Sequence, residues 1–392
     1  SLDGSDTVLQ IFKTISESHV GELSLFRVYS GSIKPGDDLY NSDRKTSERF
    51  GQMFVLNGKN RTQVDTVSAG DIAGVVKLKD THTNNTLCSG KHVSLPPLEL
   101  PNPNIHAAIV PTAKGDEEKL AIGLATLHEE DPTFVYRVDS EVKQTIISGQ
   151  GELHLKVTTE RLKRKFGIDI LLEEPRVPYR ETITGKGAAK YRHKKQSGGA
   201  GQFAEVWMRI EPKQRGEGVE FTQSLVGQNV DRVFVPSVEK GVKSTCMEGI
   251  LANCKVVDVK VEFYDGKMHP VDSKDIAFQT AGAHAFRDAF LSAQPCLLEP
   301  IMDIEVKIPE EFMGDIMGDI SGKRGKIMGM DSDGSFQVIR AQVPQAELYN
   351  YATTVRSLTG GRGIHSESSS HYEKMPKDFE RKVIAATKKD EE

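Results

Sequence analysis

The sequence predicts a multidomain α+β protein: an N-terminal β-barrel, then two ferredoxin-like βαββαβ domains flanking a different α+β middle. Three observations carry that prediction. The chain has 392 residues, too many for one ordinary core at roughly 100–150 residues per domain. Roughly its first hundred residues are short apolar runs cut by glycine and proline turn signals. One order of strand and helix patterns then occurs twice, on either side of a stretch that does not follow it.

Residues 1–101 read as the barrel. GELSLFRVYSGSIKPGDDLYN (21–41) holds two apolar runs split by Ser-Gly and Lys-Pro-Gly-Asp turns, and VSAGDIAGVVKLKDTHTNNTL (67–87) repeats the style. Closely spaced strands with glycine turns predict a small closed barrel. PPLELPNPN (96–104) is proline-rich and reads as an extended linker. Residues 104–177 form the first βαββαβ unit. NIHAAIVP is a strand, and 115–131 is a helix with Leu120, Leu124 and Leu127 in line and acids in its first turn. TFVYRVD and QTIISGQG are strands. Residues 151–167 are a helix with Leu155, Thr159 and Leu162 in line and Gly167 as its stop, and IDILLEEP closes the unit.

The middle, 178–298, carries two cleanly alternating strands. Ala204, Val206, Met208 and Ile210 share one face, with Glu205, Trp207, Arg209 and Glu211 opposite; Val257, Val259, Val261 and Phe263 share a face of the second. VDSKDIAFQTAGAHAFRDAFLSA is a helix that Asp272 or Ser273 can cap, and Ala281, Ala285 and Ala289 let it lie close to a sheet. Residues 299–380 repeat the βαββαβ order, with helices opening at 310 and spanning 345–361. Residues 381–392 read as a charged, frayed tail.

Composition narrows the function classes. No 18-residue apolar run exists, so a membrane span is not expected, and no secretory leader opens the chain. Cys88, Cys246, Cys254 and Cys296 are scattered, which suits a reduced, cytoplasmic protein and signals no zinc site or disulfide framework. His365 and His371 have no third ligand at metal-like spacing. The chain opens at Ser1 with a strand pattern close behind, so a piece of a longer protein is expected.

The formal net charge is −5, yet 185–202 contains Lys186, Lys190, Arg192, Lys194 and Lys195 and no acid. Gly199, Gly201 and Ala204 in that stretch match the loose dinucleotide pattern G-x-G-x-x-G/A. That pattern needs a helix after it, to hold a pyrophosphate at the helix N-terminus, and here a strand follows. A mononucleotide loop needs a glycine five positions before a Gly-Lys pair and Ser or Thr after it. None of the pairs at Gly58, Gly90, Gly185, Gly266, Gly322 or Gly325 has either. What remains is a cationic hairpin with a glycine tip. It suits phosphate contact, with close backbone approach through the glycines, or else it is a solvated basic hairpin without a partner. His269 lies in a strand-to-helix loop, where solvation alone also explains it. Asp315 with Asp319 reads as a solvated helix face, and Gly314, Gly318 and Gly322 as a stripe for close approach to another backbone.

These segments resemble one family along nearly the whole chain. The barrel stretches at 21–41 and 70–88 resemble the second domain of elongation factor G, the translocation GTPase. DPTFVYRVDSEVKQTIISGQGELHLKV resembles its third domain. QSGGAGQFAEVW and DGKMHPVDSKDIAFQTAG resemble its fourth, and LLEPIMDIEVKIPEEFMGDIMGDISGKRGKIMGM with YATTVRSLTGGRG its fifth. The resemblance implies that the family's GTPase domain precedes this chain. The chain itself is then no enzyme and holds no cofactor or metal; GTP and Mg²⁺ belong to the absent domain. It implies a monomer in the cytoplasm whose partner is the ribosome: ribosomal RNA, and messenger and transfer RNA at the decoding centre. The middle domain becomes an arm whose two tip loops approach the messenger–transfer RNA duplex. By matching motif these are 197–202 and the loop around His269. The candidate contacts are Lys190, Arg192, His193, Lys194, Lys195, Gln196, Ser197, Gly198, Gly199, Ala200, Gly201, Gln202 and His269, with Lys323, Arg324 and Lys326 for ribosomal RNA on the fifth domain. The family often has a longer stem and an arginine where Ala200 stands, so the hairpin is similar to that of a paralogous, elongation factor G-like subgroup. A ribosomal protection or release-type translational GTPase, or a stand-alone RNA-binding adaptor, are the alternatives.

Overall fold

The computed structural model describes residues 6–17, 21–58, 60–90, 92–195 and 201–389. The chain divides into two units, Ser1–Arg176 with Tyr349–Ser357, and Val177–Leu348 with Leu358–Glu392.

The first unit opens with β1 (Val8–Glu17), β2 (Gly21–Ser30), β3 (Ser32–Ile33), β4 (Asp38–Asn41), β5 (Thr46–Arg49), β6 (Met53–Asn57), β7 (Asn60–Val64), β8 (Val67–Ser68), β9 (Ile72–Val76) and β10 (Thr86–Cys88). Eight of them form one sheet in the order β5-β4-β10-β1-β2-β9-β6-β7, and β3 pairs with β8. Alternation sends Leu9, Ile11, Phe26, Val28 and Val75 to one core. Leu39 of β4 and Met53 of β6, from opposite ends of the sheet, enter the same core, as a barrel requires. The proline-rich segment 96–104 has no regular structure and is tied down at both ends. Gln10 Nε2 donates to the Pro96 carbonyl at 3.1 Å, and Gln150 Nε2 to that of Pro101 at 2.9 Å.

Next come β11 (Ile105–Pro111), α1 (Glu117–Glu130), β12 (Val135–Asp139), β13 (Gln144–Gly149), α2 (Glu152–Phe166) and β14 (Ile170–Glu173), with sheet order β12-β13-β11-β14. That is the ferredoxin-like arrangement. Leu120, Leu124 and Leu127 are buried beneath α1. On α2 the buried threonine is Thr158, and Thr159 is only half-buried, so the stripe leans to the i+3 side of Leu155. Gly167 ends α2 in the left-handed region at φ 69°, its N–H bonded to the Lys163 carbonyl.

The second unit contains β15 (Arg180–Ile183), β16 (Gly187–Lys195), β17 (Gln202–Pro212), β18 (Val219–Gln223), α3 (Val235–Glu248), β19 (Val259–Lys267), α4 (Asp275–Ser292), β20 (Pro295–Pro309), α5 (Met313–Gly322), β21 (Lys326–Asp333), β22 (Phe336–Pro344), β23 (Ile364–Lys374) and α7 (Lys377–Lys389); α6 (Tyr351–Leu358) groups mostly with the first unit. The arm sheet has the order β16-β17-β19-β18, with β18 parallel to β19 and α3 between them in the chain. Ala277, Ala281, Ala285 and Ala289 of α4 are fully buried over Ala204, Val206, Met208, Val259, Val261 and Phe263. Small residues one turn apart let the helix lie close to β16 and β17. The α3–α4 crossing is closer still: a Cβ on Gly241 would collide with the Gln279 carbonyl oxygen.

Four sequence expectations change here. Neither Asp272 nor Ser273 caps α4; the N-cap is Lys274, without a side-chain bond, because the Ser273 hydroxyl is engaged by β17 and Asp272 lies against Gly201. The boundary expected at 298 falls inside the 15-residue strand β20, whose start pairs with β15 and whose remainder pairs with β22 and β23. Residues 381–389 are not a frayed tail but part of α7: Val383 and Ile384 pack on Leu297, Ala252 and Met375, and Glu380 accepts the Leu297 N–H at 2.9 Å. Around Gly314, Gly318 and Gly322, apart from chain neighbours and the helix's own backbone, no atom of the described residues lies within 4 Å of an added Cβ, so these glycines face open space, not a neighbouring backbone.

Candidate nucleic-acid interface

The β16–β17 hairpin places the cationic run by strict alternation. Its register pairs Lys190 with Trp207, Arg192 with Glu205, Lys194 with Phe203 and Lys195 with Gln202. Lys190, Arg192 and Lys194 therefore share the open face of the sheet, and Tyr191, His193 and Lys195 the face that carries α4. Tyr191 stacks on His284 of α4 at 4.5 Å between ring centroids. His193 Nε2 lies 3.0 Å from Gln202 Oε1, which ties these two candidate contacts to each other.

The open face is laced with ion pairs. Arg192 bonds to Glu205, which also accepts the Trp207 indole N–H at 2.8 Å. Glu205 is only 4% exposed although it lies on the solvent side of the sheet. Burial pushes its carboxyl up, but the bonds from Trp207 and Arg192 and the charges of Arg192 and Lys267 outweigh that and hold it below the usual range. Arg209 grips Glu262 through two bonds of 2.6 and 2.7 Å, and Lys186 and Lys260 flank Glu211. Lys190 lies over the Trp207 ring at 5.5 Å. Lys194 and Lys195 are exposed, and among the described residues neither has an acidic partner.

Beyond Lys195, the candidate residues Gln196, Ser197, Gly198, Gly199 and Ala200 lie outside the described residues. The chain is described again at Gly201, where it meets the second loop. A Cβ on Gly201 would lie 2.9 Å from the Asp272 carboxylate, so any larger residue here would have to push that side chain aside. Phe203 N–H donates to the Asp272 carbonyl at 2.9 Å, and the Ser273 hydroxyl returns a bond of 2.9 Å to the Phe203 carbonyl. The same hydroxyl accepts the His269 N–H at 2.8 Å. His269 is half-exposed, and its Nδ1 accepts N–H groups from Val271 and Asp272 at 3.3 and 3.2 Å. With two N–H donors aimed at Nδ1 the ring proton is assigned to Nε2, although Asp272 Oδ2 lies 3.4 Å from the same Nδ1; none of the described residues engages Nε2. A third loop joins them through the bond from Met268 N–H to the Asn229 carbonyl, 3.1 Å. The first turns of α3 and α4 reach the same end of the sheet, where Ser237 Oγ donates to Asp275 Oδ1 at 2.7 Å. Their dipoles add positive potential there.

The residues of the C-terminal domain separate. Arg324, at φ 59°, forms a fork on Glu299 (2.8 and 2.9 Å), bonds Glu347 at 3.0 Å and stacks over Phe379 at 4.1 Å. It is an internal clamp. Lys323 is half-buried at the end of α5, and Lys326 is exposed where β21 begins. Among the described residues no group of three His, Cys, Asp or Glu side chains converges as metal ligands, and no helix is long and apolar enough to cross a membrane.

Sequence reasoning missed four contributors. Glu205 and Trp207 read only as part of the face opposite Ala204 and Val206, and the alternation gave no sign that they bind each other. Asp272 read as a helix cap. Glu181, fully buried on β15, accepts N–H groups from Ile250, Leu251, Ala252 and Cys254 at 2.7–3.1 Å and so fixes the loop after α3 at the root of the arm. Nothing local in the sequence marks it.

Four family models match in succession: Elongation factor G domain 2 over residues 7–90, domain III over 100–174, domain IV over 175–294 and the Elongation factor G C-terminus over 296–383. A crystal structure of a protein from Thermus thermophilus superposes with a TM-score of 0.84 at 34% identity; the match covers 99% of this chain and 58% of that one. Domain by domain, in both sequence and fold, the chain belongs to the elongation factor G family.

Proposed function

We propose that this chain is the ribosome-binding portion of an elongation factor G-type GTPase that promotes movement of tRNA and mRNA after peptide bond formation, acting as a monomer in the cytoplasm. GTP and Mg²⁺ would be held by a domain outside these 392 residues. One observation carries the reading: the basic hairpin and the His269 loop are bonded into a single tip, with Lys194, Lys195 and the His269 Nε2–H left for a partner. Two exposed cations and a ring donor suit phosphate and ribose, and contacts to backbone position a protein without reading sequence. That is what a factor serving every codon requires. Nucleotide hydrolysis elsewhere in the protein would bias the arm's position, and the arm would carry that bias to RNA.

The test places a photo-crosslinking residue at position 195 of the full-length protein on ribosomes. Recovery of mRNA, tRNA or ribosomal RNA supports the proposal. Recovery of ribosomal proteins alone refutes it. A translocation assay with the same protein then distinguishes movement of RNA from displacement of a bound ligand, the activity of a protection-type factor.

A further inference from the structure

Away from the tip, a groove of about 780 Å³ opens among α3, β18 and β23. Its volume is that of a small-molecule site. The floor is apolar, with Val219 and Val257 at its surface and Leu298 buried beneath them. The rim carries Arg180, Arg215, Lys243 and Lys255. Asp258 is the acid among the lining residues, and its carboxylate is already occupied: Oδ1 accepts the N–H groups of Gly216 and Gly218 at 3.1 and 3.0 Å. Arg215 reaches it only loosely, at 3.6 Å from Oδ2. Lys243 pairs with Glu239 along its own helix. Lys255 is half-buried, and among the described residues no acid pairs with it. Apolar walls weaken the screening of such a charge, so an anion entering the groove is held more strongly than at an open surface.

We propose that this groove binds an anionic amphiphile, with its carboxylate or phosphate head at Lys255 and Arg215 and its apolar body over Val219 and Val257. The volume favours a small molecule over a folded partner. The pairing of one occupied carboxylate with a cationic rim excludes a cationic ligand.

The test titrates dodecanoate, dodecyl phosphate and dodecanol into the 392-residue chain below their aggregation thresholds, read by calorimetry and by the Met247 methyl resonance at the groove's edge. Both anions are expected to bind saturably at one site, and their relative affinity identifies the preferred head. Dodecanol should bind at least about tenfold more weakly, and Lys255→Gln and Arg215→Gln should each weaken the anions by a similar factor. Met247→Trp starts from an exposed side chain, leaves every charge in place and should block all three probes; it keeps the test decisive if a charge variant fails to fold. Absence of saturable binding by either anion overturns the proposal. So does equal binding of dodecanol and dodecanoate, or binding that survives both Lys255→Gln and Met247→Trp.

Discussion

Replacing Lys194 and Lys195 with alanine should weaken ribosome association and flatten its salt dependence, and the structure says by how much. Of the cations on β16, Arg192 is neutralised by Glu205 and Lys190 lies on Trp207. Lys194 and Lys195 project from opposite faces at the hairpin's end, with no acid facing them among the described residues. Each cation that neutralises a phosphate adds roughly 0.7–0.9 to the slope of log K against log salt. The double variant should therefore be shallower by about 1.5. That amounts to roughly 30-fold weaker binding at about 0.1 M salt and roughly threefold at about 0.5 M. The assay is equilibrium binding of the full-length protein to ribosomes across a salt series. The control removes Arg192 and Glu205 together, as Arg192→Met with Glu205→Gln, so that local net charge is unchanged; its slope should match the parent. An unchanged slope in the double alanine variant refutes the reasoning. A control that flattens the slope equally refutes the assignment of Arg192 to the fold.

Glu181→Ala leaves four N–H groups, one buried and three partly buried, without acceptors, at about 1–3 kcal/mol each before the loop relaxes, so the arm should lose about 4 kcal/mol. Fluorescence of Trp207, the single tryptophan, reports arm unfolding in urea, and a loss under about 1 kcal/mol would contradict the role given to this carboxylate. Bonds from Arg209 and then Ser224 hold Glu262 at about 2, below its ordinary 4.5. A depressed carboxylate stabilises the fold above its unfolded pKa and loses that contribution as pH falls through the folded value. The urea midpoint of the parent should thus exceed that of Glu262→Gln at pH 7, with the gap closing between pH 4.5 and about 2; a gap that persists at the lower limit counts against the pairing. At His269, glutamine places its amide near Nε2 and asparagine near Nδ1. His269→Gln should keep most of the parent's translocation rate and His269→Asn should lose about tenfold, and equal losses would mean that the Nε2–H donor is not what the site uses.

How much of this was legible follows from how local each signal is. The barrel's turns and both βαββαβ units show in sequence because glycine stops and leucine spacing act over a few residues, as at Leu120, Leu124, Leu127 and Gly167. Helix α3 does not: Val238, Val242 and Thr245 carry its buried face amid lysines, serines and threonines, and packing on α4 decides it. Helix α7 hides for the same reason. Its Phe379, Val383 and Ile384 lie in a charged run and form a face only against Leu297 and Arg324.

The candidate site divides along the same line. Lys194, Lys195 and His269 are exposed because they end a hairpin and fill a loop, which are local facts. Arg192 and Arg324 carry the same charge, and composition counts them equally. Their fates depend on Glu205, brought opposite by strand register, and on Glu299 and Glu347, brought together by the C-terminal sheet and the turn that follows it. An arginine fork that finds a carboxylate in low dielectric gains more there than from a hydrated phosphate it meets intermittently. A basic stretch therefore overstates its own capacity for RNA wherever acids lie within reach through the fold. In this arm the usable charge is what remains at the end of the hairpin after the sheet has paired the rest.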